Sequence, residues 1–582
     1  MVCCNEREVG SLSPRRLTRV HIFLVSVLLV VMLATIHHPY LFSWDEPPAA
    51  EIAREALVDC HWITPYLCGL PFLEKPPLFY DIVAVTYFLT GSISPTAARS
   101  VSAIFGIIML AAVFFFCRRW ASERMAWFSV LVLIAMPKFF YYSHTILLDI
   151  AVGAFCTTAI VAFALWLWRS ESDTKKQALL CLFYLSSAGA FLTKGVIGVF
   201  HIVVIVGIFC LVTRQWHALR KLICAWPILL FIVPVTTWLC LFYREGGLIY
   251  FHQLFVHNVV GRFLKVLFVF SGSRLHNIDL NKITPWHFYL TTLPTIVGGA
   301  IVILPLTIWD AIQQTVASLR HRTQNRDMQA DTKLLLLIWA IVPVLLLSFS
   351  ATKQKTYIFP SCAAMAILVG AWLDKRLSKK QDDGWDGIGW FFVATIVAMV
   401  SIFSLRMGVK TYLIITCGLI AMTIPGLPML LYKKKFTQFC FLFIALSIGT
   451  PIIYYAPNVQ AEFRNGRCSL RLAHEVWTRV GDAPLYLYQP RDTIRGSIPF
   501  YGNRTVRELG FPEELNAVLL SSHKVYVLMS DKALVSLQKN KSFLNRYTVK
   551  PLPNCGDNQQ LKERRYPLKM QLIFFLGSTS LK

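Results

Sequence analysis

Long apolar runs separated by short polar breaks fill the chain up to about residue 455, after which the pattern changes. Runs near 21–36, 97–117, 124–142, 148–168, 177–194, 196–213, 221–243, 288–309, 333–351, 357–373, 388–405, 411–432 and 437–455 each suit a helix crossing ~30 Å of hydrocarbon. This pattern predicts thirteen spans in a polytopic α-helical membrane protein. Leu78 to Thr90 is apolar but too short to cross and ends at Gly91, which predicts a helix lying at the interface. Beyond Pro457 the signals mix. APLYLYQP, KVYVLMS and QLIFFLG predict strands, and 461–480 and 530–545 predict helices. The expected organisation is a membrane unit over 1–456 and a small soluble α/β unit over 457–582.

Composition agrees: of 582 residues 55% are hydrophobic, with 41 Phe and 16 Trp, which excludes an ordinary soluble globule. The net charge of +25 would suit a nucleic-acid partner if it were concentrated. It is instead dispersed in short clusters between apolar runs, as expected where basic loops meet anionic lipid, so no nucleic-acid partner is expected. With the N-terminus inside, Arg118/Arg119/Arg124, Arg169/Lys175/Lys176, Arg214/Arg220/Lys221, Arg320/Arg322/Arg326, Lys375/Arg376/Lys379/Lys380 and Lys433/Lys434/Lys435 all fall inside. Counting 78–90 as a span would invert every later loop. The same alternation puts loops 38–96 and 244–287 and the C-terminal unit outside.

Many of the fifteen Cys sit within apolar runs, where they act as small hydrophobes, and none has zinc-site spacing. Cys60/Cys68 and Cys468/Cys555 lie in regions expected outside and are the candidate disulfide pairs.

The richest polar stretch is WDEPPAAEIAREALVDCHWITPYLCGLPFLEKPPLF, Trp44 to Phe79. Pro47-Pro48 and Pro76-Pro77 bracket it, resisting helix, and Ala49–Val58 predicts a short helix between them. Asp45 and Glu46 follow the first span directly, and Asp149 opens the fourth on the same expected side. An ionisable residue at membrane depth points to function. The alternatives are a helix cap for Asp149 and an ordinary interfacial ion pair for Glu74-Lys75.

Taken together, WDEPxxAEIAREA, TPYLxGxPFxEKPPL, AARSVSAIFG (97–106), TKG (193–195), NVVGRFL (258–264), PWHFYL (285–290) and SATKQKTYIFP (350–360) resemble the bacterial lipid A aminoarabinose transferases. These belong with the dolichyl-phosphate-mannose and undecaprenyl-phosphate-sugar glycosyltransferases of the GT-C membrane fold. The resemblance implies an inverting transfer of a sugar from undecaprenyl phosphate to an acceptor at the outer face of a bacterial inner membrane, with lipid A and aminoarabinose the first expectation. A protein or other glycan acceptor is the alternative within that reaction class. A transporter or a non-catalytic envelope scaffold is the alternative outside it. The C-terminal unit is then periplasmic.

By the same resemblance Asp45 is the base or acceptor-positioning carboxylate, Glu46 its companion and Asp149 the second acid. Lys75 holds the donor phosphate; Arg262, Lys353, Lys355 and Tyr357 are further donor-phosphate or lipid-head candidates, and snorkelling to the interface is the alternative for each Lys. Glu74 is the candidate ligand for one divalent metal ion, with His257, His276 or His287 as its partner. The chain also departs from the family pattern. Pro48-Ala49 stands where an Arg-Tyr pair is usual, Phe72 replaces a Tyr before Glu74-Lys75, and 264–284 is longer. These departures bear on the sugar and the acceptor rather than on the reaction class.

Overall fold

The computed structural model describes residues 36–42, 45–168, 172–261, 284–320, 328–350, 353–378, 466–521, 524–530, 533–534, 548–552 and 570–576. The architecture is a bundle of apolar helices capped at one end by the 45–91 segment and by an α/β unit built from the C-terminal residues. Among the described residues five helices are long and apolar enough to cross a membrane, or six with one bent pair. The thirteen-span expectation is not confirmed as a count, and the runs at 388–405, 411–432 and 437–455 lie outside the described residues, as does 21–35.

Several expected spans are refined. Run 97–117 is the helix Pro95–Trp120, capped by the Ser94 hydroxyl, which accepts from the Ala97 N–H at 3.3 Å. Run 124–142 is two helices, Glu123–Ile134 and Pro137–His144, bent by 71°. Pro137 explains the break, since it cannot donate and fixes its own φ. Leu148–Trp168 forms as expected. Asp173–Lys194 turns directly into Val196–Val212 through Gly195 at φ +64°, a conformation a side chain would strain. Run 288–309 is interrupted after Phe288–Val297 by a 3₁₀ stretch, Gly298–Val302, before Leu304–Arg320. Met328–Ser348 spans, and Lys355–Ser361 leads as a 3₁₀ turn into Cys362–Ser378.

The short apolar run 78–90 forms the helix Leu78–Thr90, closed by Gly91. The loop helix is Glu46–Val58, three residues longer than expected, because both prolines sit within its first turn. That position is compatible with proline, whose missing N–H would lack a helical partner there anyway. The expectation that Pro47-Pro48 resists helix is corrected: the helix already begins at Glu46, the residue before the pair.

In the C-terminal unit the three expected strands form at Leu485–Tyr488, Lys524–Ser530 and Met570–Leu576. Arg507–Leu509 and Thr548–Pro551 complete a mixed five-stranded sheet. The strand Leu485–Tyr488 pairs parallel with Arg507–Leu509 on one side and Lys524–Ser530 on the other, while Met570–Leu576 adds antiparallel. A helix at 466–480 forms within the expected 461–480, whereas most of 530–545 lies outside the described residues. Asp492–Gly502 was not anticipated, and it packs on the loop helix. Their approach is so close that a Cβ on Gly496 would lie 2.0 Å from the Pro47 carbonyl carbon.

The Cys60–Cys68 disulfide is not formed: both are free thiols, Cys60 exposed and Cys68 buried. The Cys68 Sγ instead donates to the Arg495 carbonyl at 3.0 Å. Cys468 is disulfide-bonded, and Cys555 lies outside the described residues.

Candidate active site

A cavity of about 380 Å³ opens where the loop helix, the 72–80 segment, the start of Leu148–Trp168, the Lys194-Gly195 corner, the 350–357 segment and the C-terminal unit meet. Asp45, Glu74, Lys75, Asp149, Lys194, Tyr357, Asp492 and Arg495 all line it. Residues separated by hundreds of positions are thus gathered around one space.

Asp45 stands at the N-cap of the loop helix without making a capping hydrogen bond. Its carboxylate faces the open cavity and yet has protein on most sides. Burial raises its pKa, Lys75 opposes the shift, and Asp149, Asp492 and Glu74 reinforce it. Burial pulls the Lys75 ammonium down, but Tyr80, Asp45, Glu74 and Asp149 outweigh it, so its pKa lies above the ordinary value. Lys75 is therefore a firmly charged cation and Asp45 a carboxylate made more basic than usual.

Asp149 forms an ion pair with Lys194, whose ammonium also donates to the Thr356 hydroxyl at 3.3 Å and lies 5.3 Å from the centre of the Tyr357 ring. The capping alternative for Asp149 gives way to this pair, which ties together Leu148–Trp168, the Lys194 corner and the 353–361 turn.

Glu46 adjoins Asp45 but is not brought to the cavity. It is fully buried, and Arg99 donates to both its oxygens at 2.9 Å. The Phe42 N–H at 2.7 Å and the Ile146 N–H at 2.9 Å donate to it as well. Arg99 also donates to the His38 carbonyl at 2.8 Å. This set fixes the outer end of the first span, the loop helix and the 145–147 turn against one another, and so fixes where Asp45 points.

Lys353 is likewise drawn away from the cavity: it is buried and its ammonium donates to the Thr284 carbonyl at 2.9 Å and the Ser350 carbonyl at 2.7 Å. Lys355 does not line the cavity, and His287 is exposed at the start of Phe288–Val297. Arg262, His276 and the side chain of His257 lie outside the described residues. Among the described residues no group of three or more His, Cys, Asp or Glu could hold a metal ion. The carboxylates at the cavity are interleaved with Lys75 and Lys194, whose charges compete with a cation. Of the divalent-ion site that the sequence resemblance implies, Glu74 lines the cavity, while His276 and the side chain of His257 lie outside the described residues.

Four residues without an assigned role reach the site or hold it. Arg99 and Lys194 each sit at the end of an apolar run, where an ionisable residue is itself a signal. Asp492 and Arg495 had none, because they lie on a helix in the C-terminal unit whose docking the pattern of apolar residues does not disclose.

The sequence profile of the dolichyl-phosphate-mannose-protein mannosyltransferase family matches residues 22–255. The undecaprenyl phosphate-alpha-4-amino-4-deoxy-L-arabinose arabinosyl transferase of Aeromonas salmonicida (strain A449) is 27% identical over 332 residues, covering 57% of this chain and 56% of that protein. Its namesake in Pseudomonas savastanoi pv. phaseolicola is 26% identical over 361 residues, 61% of each chain. The match therefore spans well under two thirds of these relatives' length. In structure, the chain is similar to ArnT from Cupriavidus metallidurans bound to undecaprenyl phosphate, with a TM-score of 0.73 at 20% identity, covering 97% of this chain and 99% of that one. The apo state of the same protein gives 0.72 at 19% identity, covering 97% and 100%. The chain is thus a multi-pass membrane protein with the GT-C fold of ArnT, and in sequence it resembles the aminoarabinose transferases that its loop motif suggests.

Proposed function

We propose that the chain is an inverting glycosyltransferase that moves a sugar from undecaprenyl phosphate to an acceptor at the outer face of a bacterial inner membrane. The observation that carries this reading is the pairing in one cavity of an uncommitted, basic carboxylate, Asp45, with a firmly charged ammonium, Lys75. Asp45 takes the proton of the acceptor hydroxyl as its oxygen attacks the anomeric carbon. The bond from that carbon to the phosphate oxygen breaks on the opposite side, and the electron pair leaves with undecaprenyl phosphate. Lys75 stabilises the growing negative charge, which is an electrostatic task suited to a mobile point charge. Tyr357, beside Lys194, completes the phosphate end of the cavity.

In this reading Asp149 keeps Lys194 in place, and Glu46 positions Asp45 through Arg99 rather than touching substrate. Lys353 organises the 350–357 segment, and Glu74 tunes the charge of Asp45 and Lys75. No step runs through a metal ion. The unit 457–582 is periplasmic and covers the site. The names of the relatives and the loop motif support aminoarabinose as the sugar, and the motif supports lipid A as the acceptor.

The test is mass spectrometry of lipid A from a strain lacking the gene and from one restored with it, together with transfer by the purified chain from labelled undecaprenyl-phosphate aminoarabinose. Aminoarabinose on lipid A only when the chain is present is the expected result. Unchanged lipid A with turnover of the donor overturns the acceptor, and absence of donor turnover overturns the reaction.

A further inference from the structure

The C-terminal unit does more than cover the cavity: its helix Asp492–Gly502 contributes a wall. Six contacts lock that wall in place. Gly496 sits against Pro47, as described above. The Tyr501 hydroxyl accepts from the Leu41 N–H at 2.8 Å. The Cys68 thiol donates to the Arg495 carbonyl at 3.0 Å, and the Glu508 N–H donates to the Cys68 carbonyl at 3.2 Å. The Thr505 hydroxyl bridges the two units, donating to Asp59 at 2.8 Å and accepting from Arg54 at 3.2 Å. The side chain that this junction aligns on the cavity is Arg495.

Arg495 is only partly engaged. Its Nε forms an ion pair with Glu508 Oε2 at 2.8 Å without hydrogen-bond geometry, and its Nη1 reaches Asp492 Oδ1 at 3.5 Å, the outer limit of a hydrogen bond. Nη2 has no hydrogen-bond partner among the described residues. A guanidinium with Nη2 unengaged keeps charged N–H donors for a phosphate oxygen. Arg495 and its neighbour Asp492 line the same cavity as Asp45 and Lys75. Acids and bases nearly balance around the lining, so an anion must be caught there by placed donors rather than by net charge.

We propose that Arg495 is a phosphate-binding residue of the cavity, supplied by the C-terminal unit. The proposal rests on the glycosyl-transfer reading only for which lipid bears the phosphate: the donor carries one at its sugar linkage, and a phosphorylated acceptor brings its own. A charge-assisted hydrogen bond of this kind is worth about tenfold to a hundredfold in affinity.

The test uses the full chain in detergent, with Arg495→Gln, Arg495→Lys and Thr505→Val. Thr505→Val loosens the same junction without altering the cavity. One arm measures the Kd for undecaprenyl phosphate, and the other measures KM for lipid A with and without its phosphates. Arg495→Gln is expected to weaken the first by about tenfold or more if the donor is held, or to raise KM only for phosphorylated lipid A if the acceptor is held. Arg495→Lys should fall between, and Thr505→Val should lower the melting temperature while leaving both constants within about twofold of wild type. Arg495→Gln within about twofold in both arms overturns the proposal, as does an equal loss in Thr505→Val. If the wild-type chain transfers no sugar, the functional reading falls, and the undecaprenyl phosphate arm alone decides for or against Arg495.

Discussion

Asp45 and Glu46 are adjacent acids with opposite fates. Glu46 accepts four hydrogen bonds, two from Arg99 and two from backbone N–H groups, and sees no solvent. Asp45 makes no capping bond and faces a cavity. The contrast extends along the loop helix. On its buried face Arg54 donates to both oxygens of Glu51 at 2.8 and 2.7 Å, and Glu55 accepts from the N–H groups of Cys68 at 2.7 Å and Gly69 at 3.2 Å. One region of saturated charge anchors the loop, and one of less saturated charge lines the cavity. Saturated buried charge fails by unfolding when a partner is lost, while unsaturated charge fails by slower chemistry.

The largest break in that comparison comes from the anchor. Arg99→Met leaves Glu46 buried without its cation, and a loss of about 3–5 kcal/mol in unfolding free energy is expected. It is read by thermal or denaturant unfolding in detergent. A stability within about 1 kcal/mol of wild type would show that the anchor does not carry the loop.

Next is Lys75→Met, which should lower the transfer rate about 10²-fold or more while leaving stability nearly unchanged. Its pH profile sharpens the point. Asp45 works as a base only when ionised, so the rate falls as pH drops through its raised pKa. Lys75 holds that pKa down, so its removal should move the acid limb of the profile to higher pH. A limb that stays in place or moves to lower pH would separate Asp45 from Lys75.

The smallest effect concerns a carboxylate in neither region. Asp81 lies in the short helix 78–90 with Oδ1 lacking a partner, and burial raises its pKa from 3.8 to about 8. The folded state therefore favours the neutral acid. Its contribution is full below about pH 4 and is lost as pH rises toward 8. Asp81→Asn should stabilise the protein by about 1 kcal/mol near pH 7 and have little effect near pH 4, as melting temperatures at the two pH values would record. Equal effects at both would refute the titration.

Much of this was legible in the sequence because membrane helices declare themselves by continuous apolar length. The helices over 95–120, 148–168 and 328–348 and the short helix 78–90 formed close to expectation. The cavity's Asp45, Glu74, Lys75, Asp149 and Tyr357 came from motif rather than period, and the fold gathers them. Three features escaped for physical reasons. Glu46 and Lys353 carry the same charge as their working neighbours, and only their burial and saturation separate anchor from site. Pro47-Pro48 reads as a helix breaker but sits in the one turn that tolerates it. Arg495 belongs to a helix of the C-terminal unit, and its place in the cavity wall depends on a docking contact at Gly496 that no local pattern encodes.

The central claim is that Asp45 is the working base of the cavity and Glu46 is not. Release of undecaprenyl phosphate from its labelled sugar, in the presence of acceptor, tests it most directly. Asp45→Asn, folded and melting as wild type does, is expected to release it about 10²–10⁴-fold more slowly. Equal release by wild type and Asp45→Asn would contradict the account.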